Sequence, residues 1–222
     1  MRELVLGGLR RVYSLVKRQS FDTSGDYWQQ RYVRGETSGS GSYGRLAAFK
    51  ASALNGFVTE RSVRTVIELG CGDGAQLAIA NYTSYVGVDI SPAAVAVCRK
   101  RFAGDASKTF ITLEEFRRAR PTAELALSLD VIYHLVEDAI FDGHMRDLFG
   151  AATRFVAIYS SNSERIVDPA PHVRHREFTR WIAQHVPDWR LIATRKNPYP
   201  YRWWNRKHSS HCDLFLFERQ AT

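Results

Sequence analysis

Apolar residues along the chain follow two periods. At residues 2–18, Leu4, Val5, Leu9, Val12, Tyr13, Leu15 and Val16 recur at helical spacing with Arg10, Arg11, Lys17 and Arg18 between them, which predicts a basic amphipathic helix. Gly7, Gly8, Arg10 and Arg11 interrupt any signal-peptide core, and no small-residue cleavage site follows. Such a helix has three surfaces to lie on: its own domain, a second copy of the chain in a homodimer, or a membrane face. A further helix is expected over Leu46 to Glu60. The next apolar segments are short and nearly continuous: Val66 to Leu69, Tyr85 to Asp89, Thr109 to Leu113, Glu124 to Leu129 and Arg154 to Ser161. Runs of this kind read as strands buried on both faces. Helices are expected between them, one after Asp73, one opened by Ser91 and Pro92 as cap and first turn and running to Phe102, and one carrying His144. Glu177 to Val186 is amphipathic, and Trp189 to Arg195 and His211 to Glu218 are final strands joined by a long loop.

Strands alternating with helices imply an α/β, doubly wound, mostly parallel sheet that takes ligands at the carboxyl ends of its strands. The first strand runs into Glu68-Leu69-Gly70-Cys71-Gly72-Asp73-Gly74. Glycines at alternate positions let the chain fold back tightly and let a ligand approach the backbone. Nineteen residues after Gly70 the second strand ends in Asp89, where a carboxylate can accept both hydroxyls of a ribose. The spacing is neither the dinucleotide G-x-G-x-x-G nor a phosphate loop, since no Gly-Lys-Ser/Thr follows. An adenosine without a pyrophosphate fits it.

Glu68-Leu-Gly-Cys-Gly-Asp-Gly, followed by Gly87-Val-Asp89-Ile-Ser and by Ser128-Leu-Asp130, resembles the ordered motifs of class I S-adenosylmethionine-dependent methyltransferases. The resemblance implies a Rossmann-like sheet of seven strands with an antiparallel last strand and helices on both faces. It implies S-adenosyl-L-methionine as cofactor, contacted by Glu68, Gly70, Cys71, Gly72, Asp89, Ile90 and Leu129. Tyr27-Trp28-Gln-Gln-Arg31-Tyr and the Ser/Gly-rich stretch through Tyr43-Gly-Arg45 are similar to the lid of small-molecule methyltransferases. Trp28, Arg31 and Arg45 are then expected over the methionine end, an arginine pairing with its carboxylate. The organisation expected is an N-terminal helix and linker over 1–25, then a methyltransferase domain over 26–222 with residues 26–45 as lid. The wider set, including Tyr133-His134-Leu-Val-Glu137-Asp and Tyr159-Ser-Ser-Asn, looks like bacterial sugar O-methyltransferases, among them those of mycobacterial methylmannose polysaccharide synthesis. The implied reaction is O-methylation of a sugar or short oligosaccharide, such as position 1 of a mannoside. Another small molecule, or an RNA, is the alternative acceptor.

Methylating a hydroxyl requires a group to take its proton. His134 lies four residues past Asp130, where the fourth strand turns toward a helix, and His144 follows ten residues later. Both, with Asp130, are catalytic candidates, because histidine titrates near neutrality. Asp130 and Glu137 beside these imidazoles form an oxygen-rich set suited to Mg²⁺, which takes one or two protein carboxylates. Tyr133, His172, Tyr199 and Trp203 can build an acceptor wall, aromatic faces stacking on sugar rings while polar groups read hydroxyls. Asn197-Pro-Tyr-Pro-Tyr is similar to the Asn-Pro-Pro-Tyr box of amine-methylating enzymes, but it does not follow the fourth strand and lacks the second proline.

Bulk composition narrows this picture modestly. The 222 residues suit one large α/β domain, and no apolar run approaches a membrane span. Lysine and arginine outnumber acids by 31 − 23 = 8, yet the basic residues are scattered without an aromatic-interleaved stripe, so no nucleic-acid partner is expected. Cys71, Cys98 and Cys212 lack zinc or disulfide spacing, which suits a reducing cytoplasm.

Overall fold

The computed structural model describes residues 21–166 and 170–220. The helix expected over residues 2–18 lies outside them. Helix α1, Ser24–Val33, is capped by Thr23, whose side chain accepts from the Asp26 N–H. A short 3₁₀ turn at Ser40–Ser42 leads to α2, Gly44–Glu60. There follow β1 (Thr65–Leu69), β2 (Ser84–Asp89), α3 (Pro92–Arg101), β3 (Lys108–Thr112), α4 (Leu113–Ala119), β4 (Ala123–Leu129), α5 (Asp138–Ala151) and β5 (Ala152–Ser160). The chain ends in α6 (Phe178–His185), β6 (Trp189–Arg195) and β7 (Asp213–Arg219).

The seven strands form one sheet in the order β3-β2-β1-β4-β5-β7-β6. Strands β1 to β5 pair in parallel, whereas β7 is antiparallel to both β5 and β6. The expected doubly wound sheet with an antiparallel last strand is therefore the observed one. The strand order turns at β1 and β4, which is where such sheets open a crevice outside their carboxyl ends.

Both faces of the sheet are covered, which explains why the central strands read as unbroken apolar runs. On one face Leu54, Phe57 and Val58 of α2 join a buried cluster with Leu125, Leu127 and Phe155. On the other, Met145, Leu148 and Phe149 of α5 and Phe178 and Ile182 of α6 cluster with Ala126, Val156 and Ile158.

Two elements differ from expectation. The helix expected after Asp73 does not form: the segment holds an Ala78 N–H to Gly74 carbonyl bond of 3.1 Å and the 3₁₀ turn Leu77–Ile79. The Asn55 side chain of α2 donates to the Ile79 carbonyl and accepts the Asn81 N–H, drawing the chain into an extended path before a helix can develop. Conversely, α4 was hidden in the sequence by its shortness. Thr112 and Glu115 form a reciprocal capping box at its start, which satisfies two otherwise orphaned backbone N–H groups.

Leu125 is completely buried at the centre of β4. Leu125→Ala is expected to lower stability by about 2–5 kcal/mol through lost transfer energy and a residual cavity, measured as a reduced denaturant midpoint with an unchanged slope.

Candidate active site

The glycine turn sits at the carboxyl end of β1. Gly70 and Gly72 adopt left-handed φ values of 91° and 57°. A Cβ on Gly70 would collide with Val131, and one on Gly72 with the Ser38 hydroxyl, so the segment carrying Ser38 and the loop after β4 approach the turn as closely as backbone alone permits. Around it opens a cleft of about 1020 Å³, counting the part open to solvent. Of the residues singled out from sequence, Trp28, Glu68, Gly70, Cys71, Gly72, Asp89, Ile90, Leu129, Asp130 and His144 line it.

Asp89 is buried at the end of β2, its Oδ2 accepting the Gly72 N–H at 2.9 Å and its Oδ1 the Ser91 N–H at 2.9 Å. Burial pushes its carboxyl up to about 6, although those N–H groups resist the shift. Glu68 accepts the Tyr85 hydroxyl at 2.6 Å. Burial raises its carboxyl to about 7, while the Tyr85 bond and the Lys50 ammonium pull the other way.

Lys50 is the functional-site residue that sequence reasoning missed. It is fully buried, lines the cleft, and donates to Asp130 Oδ2 at 2.5 Å while its ammonium stands 5.0 Å from the Tyr159 ring centre. Asp130 itself adopts a φ of 60° and accepts the Tyr133 hydroxyl at 2.9 Å. A signal existed: Lys50 falls on the buried stripe Leu46, Ala47, Ala51, Leu54, Phe57 and Val58 of α2, and a cation on an apolar helix face demands a partner.

The segment ahead of α2 closes over the turn through one carboxylate. Asp73 Oδ2 accepts the Tyr43 hydroxyl at 2.6 Å and the Ser38 N–H at 3.0 Å, and the Asp73 N–H returns a bond to Ser38 Oγ at 2.9 Å. The Tyr32 hydroxyl is also 2.9 Å from Ser38 Oγ. Burial opposes ionisation of Asp73, but the bonds from Tyr43, Ser38 and Ala75 hold it below the usual carboxylate range.

The remaining predicted residues occupy other positions. His134 stands in an aromatic box beside the cleft, 4.9 Å from Trp28, 4.4 Å from Tyr133 and 5.5 Å from His172 by ring centres. Its Nδ1 donates to the His172 carbonyl at 3.0 Å, and the His172 ring stacks on Tyr27 at 4.3 Å. His144 reaches the cleft from α5 with Nε2 2.9 Å from Ser128 Oγ. Burial lowers both imidazoles to about 4, with the Arg117 charge adding to the effect at His144. Arg31 binds the Thr37 carbonyl and pairs with Glu36 at 3.3 Å. Arg45 donates to the His208 carbonyl and covers the Tyr199 ring at 4.3 Å. Neither arginine lines the cleft, nor do Tyr199 and the largely exposed Trp203.

The expected magnesium pair is engaged elsewhere. Glu137 accepts the Ser24 N–H at 2.9 Å and hydroxyl at 2.5 Å, holding the start of α1, and Asp130 is bound by Lys50 and Tyr133. Among the described residues no group of three or more His, Cys, Asp or Glu side chains is arranged to hold a metal ion.

Residues 67–146, from β1 to α5, match the family model of a methyltransferase domain. The match supports a class I S-adenosylmethionine-dependent methyltransferase. Solved structures with this fold include the magnesium protoporphyrin IX methyltransferase (ChlM) of Synechocystis PCC 6803 with bound SAH, 14% identical over 93% of this chain and 100% of that chain, with a TM-score of 0.62. The N-methyltransferase NodS of Bradyrhizobium japonicum WM9 is 14% identical over 80% of this chain and 98% of its own, with a TM-score of 0.60. The methyltransferase domain of bacterial CtHen1-C is 15% identical over 78% of this chain and 97% of its own, also with a TM-score of 0.60. No curated protein matches the chain.

The chemistry of the cleft suits this cofactor. Each Asp89 oxygen accepts one backbone N–H and keeps lone pairs of the kind that ribose hydroxyls donate to. Ile90, Leu113 and Ile140 give the cleft an apolar side for a purine, and Lys50 and Asp130 place opposite charges beside Gly70, as a zwitterionic amino-acid end requires.

Two outcomes are expected from these contacts. Lys50→Met leaves Asp130 uncompensated and should destabilise the protein by about 3–5 kcal/mol, part of which Lys50→Met combined with Asp130→Asn restores in chemical denaturation. The imidazole of His144, held near 4 when folded against an ordinary value of 6.5, contributes stability that is present above pH 6.5 and lost as pH falls toward 4. Raised Glu68 and Asp89 act in the opposite sense, their contribution being lost as pH rises through about 7 and 6. His144→Gln should therefore show a shallower loss of stability than the unsubstituted protein between pH 6.5 and 4, measured by denaturant midpoints across that window.

Proposed function

We propose that the protein is an S-adenosylmethionine-dependent O-methyltransferase acting on a hydroxyl of a sugar or short oligosaccharide, such as position 1 of a mannoside. The observation carrying this reading is the aromatic and imidazole wall of Trp28, Tyr133, His134 and His172 beside the Asp130 end of the cleft. Rings of this kind stack on the apolar faces of sugars, and the polar atoms among them read hydroxyls.

S-adenosylmethionine supplies an electrophilic methyl group on a sulfonium when it is bound. Glu68, Gly70, Gly72, Asp89, Ile90, Leu129 and Trp28 form its site, and the segment 26–45 is the lid that excludes water. Lys50 and Asp130 hold the charged amino-acid end, a task expected from sequence of Arg31 and Arg45.

His134 takes the acceptor proton. Its Nδ1–H is spent on the His172 carbonyl, which fixes the tautomer with the Nε2 lone pair available to a hydroxyl. Burial keeps the ring neutral at physiological pH, so it arrives at the reaction unprotonated. His144, bonded through Nε2 to Ser128, is the second candidate and shapes the cleft from α5. Tyr133 positions Asp130, and His172 lies on the acceptor side, stacked on Tyr27.

Incubation with methyl-labelled S-adenosylmethionine and a panel of mannosides is expected to give a labelled methyl ether, and His134→Ala to lower kcat by about 10² or more with cofactor affinity retained. Cofactor binding without transfer to any sugar would overturn the acceptor assignment. Absence of cofactor binding would overturn the methyltransferase reading itself. A larger loss of kcat in His144→Ala than in His134→Ala would reassign the base.

A further inference from the structure

The loop between β6 and β7 carries a surface feature that the cleft does not use. Its 3₁₀ segment Trp203–His208 exposes two tryptophans side by side, Trp203 at 74% and Trp204 at 64%. Exposed neighbours Arg202, Arg206 and Lys207 flank them. No acidic residue occurs between Asp188 and Asp213.

The presentation is built. Ser209 is buried and accepts the Arg202 N–H at 3.0 Å while donating to the Asn205 carbonyl at 2.8 Å, closing the segment on itself. Arg45, at the first turn of α2, grips the His208 carbonyl and ties the loop to the body of the fold. Two tryptophans are thus held in water at a cost in apolar hydration, within a cationic frame.

We propose that this segment docks the protein on the surface of an anionic phospholipid bilayer. Indole rings partition into the headgroup region, where an apolar body and a polar N–H are both accommodated, and lysine and arginine near an anionic leaflet add electrostatic attraction. The two rings stand at 88° with centroids 5.7 Å apart. That geometry gives no common platform for successive bases or sugar rings, and this favours a lipid surface over a stacked polymer. The docking is peripheral: among the described residues no helix is long and apolar enough to cross a membrane. Residues 1–20, outside the described residues, add five basic residues against one acid in their sequence, the same chemistry in a second part of the chain. The segment also packs against the turn at Ser40–Ser42, so the docked face lies beside the cleft.

The test is co-sedimentation of the full chain with phosphatidylcholine vesicles and with vesicles of mixed phosphatidylcholine and phosphatidylglycerol. Binding is expected to the anionic vesicles only, and to weaken at about 0.5 M salt as the charges are screened. Trp203→Ala with Trp204→Ala, and separately Arg202→Glu with Lys207→Glu, should each weaken it by about tenfold or more, with circular dichroism spectra unchanged. Failure of the unsubstituted chain to bind anionic vesicles overturns the proposal. So does retention of full binding by both loop variants, which would assign the attraction to residues 1–20. Binding of a single-stranded oligoribonucleotide in preference to vesicles, lost in the same variants, would assign the surface to nucleic acid and overturn it equally.

Discussion

A buried ammonium must be paired, and in this protein that requirement ties the site together. Lys50 emerges from the apolar face of α2 into the lining of the cleft, and its partner Asp130 stands at the end of β4 in a left-handed conformation that a non-glycine residue adopts only under constraint. The bond joins the helix before the sheet to the central strand of the second half. It also fixes the direction in which the chain leaves β4, and with it the placement of Tyr133 and His134. Replacing such a pair by apolar side chains is often neutral for stability. Its retention at the mouth of a cleft is therefore better understood through what the charges can bind.

A second layer of constraint comes from the segment ahead of α2. Serine and glycine give it the composition of a linker, yet Ser38 and Tyr43 converge on Asp73, and Gly41 passes so near Asp130 that a Cβ there would fall 2.7 Å from its carboxylate oxygen. The composition that reads as slack is what allows the close approach. The same bonds anchor Asp73 at the point where a longer helix was expected, so the turn after β1 is stabilised by the Ser/Gly-rich segment and by α2 instead of by a helix of its own.

Much of this was legible in the chain. Continuous apolar strands, the glycines at 70, 72 and 74 and the acid at 89 announce the sheet and the cleft because period and backbone freedom are local properties. The missing helix after Asp73 was not legible, since it is pre-empted by Asn55, a residue on another element. Arg45 was misplaced for a similar reason: its partners His208 and Tyr199 lie more than 150 residues away in sequence. Glu137 looked like a metal ligand because spacing cannot reveal that Ser24 takes both its oxygens. Lys50, by contrast, could have been found, for a lysine on an apolar stripe is a visible contradiction that only a buried partner resolves.

The Asp73 latch bears on how the segment ahead of α2 can move. Ser38, Tyr43 and Tyr32 form one hydrogen-bonded unit over the glycine turn, so this segment cannot lift from the turn by the movement of a single side chain. Several bonds must open together, and they close again without any covalent change. A chain built this way holds its Ser/Gly-rich segment by several bonds at once, and a substitution at Asp73 loosens them together.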